Sequence, residues 1–248
     1  MQLIVNADDL GRNKLVTDAI CSLVDAGLVT STTIMANAPG FEHAISMIQR
    51  CRRCSIGVHL NLTEFAPLTG APGLKPLLDA AGNFTKCSKW FILSPRLLES
   101  VYHEWQAQIQ AVICAGITPS HLDSHHHIHL LPQFYPLIRR CQLDFKIRRV
   151  RRSKNLYAPV QLYTRGVLVW RVISHAALSV LTQSTVTDWF TDLPTFLRVH
   201  RRIKNIQTVE IMVHPGHPLF AEDERTLRSE SWRQLTAEHD LIGYTELM

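Results

Sequence analysis

The chain has 248 residues, of which 46% are hydrophobic and 19% charged, and it carries a formal net charge of +5. This is an ordinary globular composition for one large or two small domains, and the mild positive excess tolerates an anionic partner without demanding one. No window holds 18 uninterrupted apolar residues, and Asp8 and Asp9 interrupt the apolar run a secretory signal would need, so a cytoplasmic chain without a transmembrane helix is expected.

From the N-terminus, Leu3–Ala7 is a short apolar run that predicts a buried strand, with Asn6-Ala-Asp-Asp-Leu-Gly11 as the turn after it. Leu15–Ala26 places Val16, Ala19, Ile20, Leu23 and Val24 at helical spacing, and Gly27 stands at the C-cap position. Thr32–Ala36 predicts a second strand and Phe41–Cys51 a second helix. Ser55–Leu62 predicts a third strand, with Gly57, His59 and Asn61 on one face. Proline and glycine accumulate from Thr63 to about Ser94, which predicts a long loop over one end of the fold; long ordered loops are more often functional than accidental. Arg96–Ala115 reads as a helix closed by Gly116.

Ser120-His-Leu-Asp-Ser-His-His-His-Ile-His129 holds five of the thirteen histidines in ten residues. In an extended strand His121, Asp123, His125, His127 and His129 would share one face, with Leu122 on the other. Imidazoles in register suit a strand aimed into a pocket, where they ligate metal or carry protons near neutral pH.

The remaining elements are a helix over Gln133–Cys141, strands over Phe145–Val150 and Ser184–Phe190, and an apolar helix over Val160–Leu181. Then come a basic helix or loop over Phe196–Asn205, a strand over Thr208–Val213 and a charged helix over Glu222–Asp240; Ile242-Gly-Tyr-Thr is a last extended piece. Alternating strands and helices predict one α/β domain with a mostly parallel sheet, open or closed into a barrel. The six cysteines include Cys51-Arg-Arg-Cys54, half a zinc knuckle that no second pair answers, so reduced thiols are expected.

Parallel α/β folds gather the loops after their strands on one side, where active sites lie. Asp8-Asp9, His59, Asp123-Ser-His125 and His214 all fall at such strand ends. Two histidines and a carboxylate suit a divalent ion with open positions. The second carboxylate of the Asp-Asp pair is suited to accept a proton and His214 to donate one.

These residues carry a family resemblance. Asn6-Ala-Asp-Asp-Leu-Gly11, Val29-Thr-Ser-Thr-Thr33, Gly57-Val-His-Leu-Asn-Leu-Thr63, the stretch Thr118–His129 and His214-Pro-Gly216 resemble the motifs of the YdjC-like carbohydrate deacetylases, the group that includes chitooligosaccharide deacetylase. Leu10 stands where the family usually has Phe. The resemblance implies one domain over residues 1–248, a deformed (β/α) barrel related to polysaccharide deacetylases, and a homodimer. It implies hydrolysis of an N-acetyl group from an amino sugar with one divalent ion, zinc or magnesium. Family metal ligands fall on Asp9, His59 and His125, the base on Asp8 and the acid on His214. A family arginine falls on Arg151 or Arg149, and Thr187-Asp188-Trp-Phe190 resembles a segment lining the substrate site. Asp123, His127 and Glu210 are expected to support these groups, Glu210 by orienting His214 from the same strand face.

Lys146, Arg148, Arg149, Arg151, Arg152 and Lys154 form a dense basic cluster, read as a solvated rim ahead of a phosphate-binding face. With the apolar helix it leaves an alternative open: a lipid-linked or anionic N-acetyl sugar met at a membrane surface. A metal-dependent phosphoesterase is a second alternative, although no glycine-rich phosphate cradle is present. No nucleic-acid motif accompanies the cluster, so no nucleic-acid partner is expected.

Overall fold

The first strand is buried on both faces and organises the rest. In the computed structural model, which describes residues 1–48, 54–86, 94–157, 180–204 and 207–247, β1 (Gln2–Leu10) lies at the centre of a wholly parallel sheet. Its continuous apolar run, Leu3-Ile-Val, is what a strand covered on both sides requires. It pairs with β2 (Ser31–Ile34) on one side and β6 (Thr208–Val213) on the other. Beyond these stand β3 (Ser55–Leu60), β4 (Leu122–Ser124) and β5 (Trp189–Asp192), in the order β4-β3-β2-β1-β6-β5. A short β7 (Asp240–Leu241) pairs with the start of β1.

The sheet curls until its two edges are bridged by one extended segment. Val150 bridges Leu122 of β4, Arg149 bridges Thr185, and the Asn155 amide donates to the Phe190 carbonyl of β5 at 3.3 Å. The expected strand over Phe145–Val150 is therefore reduced to these bridges, because a helix over Tyr135–Phe145 takes up its start and leaves too few residues to pair. The result is the deformed α/β barrel.

Helices cover the outside. α1 (Lys14–Asp25) starts where the Asn13 side chain accepts from the Val16 amide at 2.9 Å, and it buries Val16, Ile20, Leu23 and Val24. Each such apolar side chain contributes about 1.5–3 kcal/mol on burial. α2 (Phe41–Met47) follows; the predicted end of this helix at Cys51, and with it the Cys51-x-x-Cys54 pair, reaches outside the described residues. α3 (Pro95–Cys114) and α4 (Tyr135–Phe145) pack against each other. The helix predicted over Val160–Leu181 also lies almost wholly outside the described residues. After β5 comes α5 (Leu193–Val199). The charged helix predicted over Glu222–Asp240 is two, α6 (Ala221–Leu227) and α7 (Glu230–Thr236), because Ser229 caps the second through its hydroxyl and so breaks the first. Among the described residues no helix is long and apolar enough to cross a membrane.

Gly57 marks a close approach inside the barrel. A Cβ there would stand 2.5, 2.6 and 2.8 Å from three atoms of the His121 ring, which is itself stacked on Tyr244 at 3.6 Å. The ring has nowhere to retreat. Gly57→Ala is expected to cost about 1–3 kcal/mol, a fall in Tm of about 2–12 °C; an unchanged melt would show that the ring moves freely.

Candidate active site

The strand ends open into a cavity of about 520 Å³ lined by Asp8, Asp9, His59, His125, His127 and His214 among others. Asp8 and Asp9 belong to the last residues of β1 itself rather than to a turn after it. Asp9 adopts φ +71°, a left-handed conformation that a non-glycine residue rarely takes. Such strain concentrates at functional sites.

Asp9, His59 and His125 converge on one point. Asp9 Oδ1 lies 3.2 Å from His59 Nε2 and 3.1 Å from His125 Nδ1, yet it is buried with no hydrogen-bond partner. A buried carboxylate oxygen facing two ring nitrogens off hydrogen-bond geometry fits a divalent ion, and one carboxylate with two imidazoles suits zinc or another transition ion. Register supplies the support. His59 of β3 stands beside Asp123 of β4, so the two share a face, and His59 Nδ1 meets Asp123 Oδ1 at 2.7 Å. The Thr33 hydroxyl donates to the other Asp123 oxygen at 3.2 Å. Burial opposes a proton on His59, but Asp123 and Asp9 outweigh it and carry the ring up to about 10. Burial likewise raises Asp9, and the His125 and His59 contacts override it and hold the carboxyl well below the usual range.

Arg151 fills the barrel interior. Its guanidinium is fully buried, donates to both oxygens of Asp8 at 2.6 Å and to Glu210 Oε1 at 2.7 Å, and forms an ion pair with Asp123 Oδ2 at 2.7 Å. Three strands thus meet on one cation, and its carbon lies 5.0 Å from the Phe190 ring centroid on a fourth. Burial raises Asp8, but Arg151 outweighs it and lowers the carboxyl below 3.8. Burial pushes Glu210 up to about 7 even against Arg151. His214 Nε2 stands 4.0 Å from Asp8 Oδ2, its ring stacked on Phe220 and its backbone amide donating to Asp223 at 3.0 Å.

With this geometry the comparisons are specific. The model of the family described as YdjC-like protein matches residues 2–242. This chain belongs to the YdjC-like family. A carbohydrate deacetylase of Halalkalibacterium halodurans is 34% identical over 222 residues, 88% of this chain and 86% of that protein. One from Brevibacillus brevis is 30% identical over 252 residues, 100% of this chain and 93% of the relative. A crystal structure from Enterococcus faecalis shares the fold at 24% identity with a TM-score of 0.80, covering 99% of this chain and 98% of that one.

In this YdjC-like chain His121, His125, His127 and His129 do not share one face with Asp123 as expected. The strand ends at Ser124, and His126 (φ 53°) and His127 (φ 56°) are left-handed, so the chain reverses instead of extending. Each ring goes its own way. His125 reaches Asp9; His127 lines the cavity with its Nδ1 unpaired; His121 is buried against Tyr244. His129 is buried behind the site, where Nε2–H donates to the Arg151 carbonyl at 3.0 Å and Nδ1 accepts from Ser124.

Three further expectations change, and the open choice between two arginines is decided. Glu210 orients Arg151, not His214: its second oxygen accepts from the Tyr244 hydroxyl at 2.5 Å. Of the two candidate arginines, Arg151 reaches Asp8, whereas Arg149 donates to the carbonyls of Thr245 and Leu247. Asp188 lies at the opposite end of the sheet from the cavity, just before β5, where its carboxylate accepts from the Thr208 amide at 2.8 Å. The basic cluster is largely spent inside the fold: Arg149 and Arg151 as above, Arg152 on the Thr187 carbonyl and Lys154 on Asp192. Of the six, Lys146 and Arg148 are exposed, so these two alone keep the fully solvated position expected of the cluster.

The sequence reading missed Glu64, Arg12, Thr33 and Tyr244. Glu64 and Arg12 line the cavity, each a few residues past a strand end that already carries a ligand. That position is the signal that was available. Tyr244 had none, because its role depends on the C-terminal turn folding back under β6.

Proposed function

We propose that this chain is a metal-dependent carbohydrate N-deacetylase, which hydrolyses the acetamide of an N-acetyl amino sugar to acetate and a free amine. The observation that carries the reading is the meeting of Asp9, His59 and His125 beside Asp8 and His214 in one cavity. The names of the relatives support the sugar substrate.

Asp9, His59 and His125 would hold the ion, zinc being favoured by the donor set and magnesium the alternative. When bound, it supplies Lewis-acid polarisation of the acetamide carbonyl and acidifies water. Asp8, held ionised by Arg151, accepts the proton of the attacking water at Oδ2. Once the C–O bond has formed, His214 delivers a proton to the amine as the C–N bond breaks. Asp8 Oδ2 and His214 Nε2, 4.0 Å apart, are close enough to serve one tetrahedral centre but too far to bond each other. His127 lines the cavity while its unpaired Nδ1 is turned into the protein, which suits a supporting role beside the metal group.

The test is elemental analysis of the purified protein beside His125→Ala, followed by a screen of N-acetylated sugars with acetate and phosphate both measured. About one metal ion per chain, lost in the variant, with acetate released, is the expected result. Phosphate release would favour a phosphoesterase, and a wild type that takes up neither zinc nor magnesium would overturn the metal assignment.

A further inference from the structure

Both imidazoles of the ligand group stand between two carboxylates. His59 turns Nε2 to Asp9 and Nδ1 to Asp123. His125 has the same surroundings with its nitrogens exchanged: Nδ1 is 3.1 Å from Asp9 Oδ1, and Nε2 is 3.1 Å from Glu64 Oε2. An imidazole gives one ring nitrogen to a metal, and whatever meets the other nitrogen fixes its tautomer and rotation. The neighbouring strand supplies that partner for His59. No strand can supply it for His125, which lies beyond the end of β4.

Glu64 is built into position from three directions. Its carbonyl accepts from Asn61 Nδ2 at 2.6 Å and Asn37 Nδ2 at 3.2 Å, and Asn61 in turn accepts from the Thr63 amide at 2.9 Å. The next residue, Phe65, takes φ +62°, a left-handed conformation that a non-glycine residue rarely adopts, which turns the backbone directly after Glu64. Arg12 donates to Glu64 Oε1 at 2.7 Å and also approaches Asp9 Oδ2 at 3.5 Å. One carboxylate oxygen is thereby committed. The other, Oε2, is buried with no hydrogen-bond partner, as is the His125 Nε2 that it faces.

We infer that Glu64 is a positioning residue of the metal group: it holds His125 with Nδ1 presented to the ion, the part that Asp123 plays for His59, and Arg12 anchors it there. The inference rests on the metal reading of Asp9, His59 and His125.

The experiment titrates the chelator-stripped full chain with Zn2+ against a chromophoric competitor, for wild type, Glu64→Ala and Glu64→Gln. Loss of an outer carboxylate from a ligating histidine is expected to weaken metal binding ~10–100-fold, so E64A should fall in that range. E64Q, which keeps an oxygen able to accept from Nε2–H, should recover most of the loss. Long-range 1H–15N spectra of the zinc-loaded proteins add a readout that mere destabilisation would not move: His125 Nε2–H is expected as a single protected tautomer in wild type and E64Q, and as an exchanging one in E64A. Zinc affinity of E64A within twofold of wild type, or an unchanged His125 spectrum, would overturn the inference while leaving the metal site standing. A wild type that binds no zinc would overturn the site and the inference together. If E64A does not fold, Glu64→Asp, whose shorter arm withdraws the carboxylate from Nε2, is held to the same limits.

Discussion

Asp8→Asn is expected to keep its metal and to lower acetate release by about 10²–10⁴-fold, the usual contribution of a positioned general base. Asp8 converges with His59 and Asp123, where Arg151 already supplies the cation, and is not one of the donors Asp9, His59 and His125, so the ion should be retained. The same carboxylate accepts two hydrogen bonds from Arg151 and one from Asn6 at 2.9 Å, which keeps it ionised across neutral pH at some loss of basicity. Asn preserves one acceptor for Arg151 but turns an NH2 group toward the second guanidinium N–H, so a modest fall in Tm should accompany the loss of turnover. Metal content, turnover and melting temperature measured on one preparation separate these effects. Full metal with near-native turnover would remove Asp8 from the role of base.

Arg151→Met is expected to destabilise more than any surface change. It strands Asp8, Asp123 and Glu210 in the barrel interior without their shared cation. Breaking a buried ion pair from one side costs about 3–5 kcal/mol, a fall in Tm of about 6–20 °C for a chain of this size. The pH dependence has a defined sign. In the native protein the folded pKa values of Asp8 and Asp123 lie below the ordinary 3.8 because Arg151 outweighs burial. Their contribution is thus fully present above that range and lost as pH falls through the folded values. In the variant the Arg151 contribution is gone and only His59 still opposes burial, so both carboxyls rise and protonation relieves part of the penalty. The Tm deficit relative to native protein should therefore be larger at pH 8 than at pH 5. An equal deficit at both would mean that the three carboxylates find other partners.

Much of the site was legible because a parallel α/β chain sends the residues after its strands to one side. That rule collected Asp8, Asp9, His59, His125 and His214 from across the chain. It failed where the backbone left the strand. Two consecutive left-handed residues at His126 and His127 broke the alternation on which the His-rich reading relied, and no local propensity signals a histidine in that conformation. The basic cluster misled for a related reason. A charged residue in an extended segment reads as exposed unless that segment closes a barrel, and here it puts Arg151 at the centre and turns Arg149, Arg152 and Lys154 onto neighbouring loops.

The α/β alternation, the buried first strand, the family and the converging strand ends could be read from the residues alone, because each rests on local periodicity or short motifs. Which carboxylate meets which nitrogen followed only from the packed fold. Asp123 faces His59 through strand register, Glu210 holds Arg151 instead of His214, and Glu64 closes on His125 from a loop 61 residues earlier in the chain. Such pairings depend on distances between residues far apart in sequence, which packing fixes and local propensity does not.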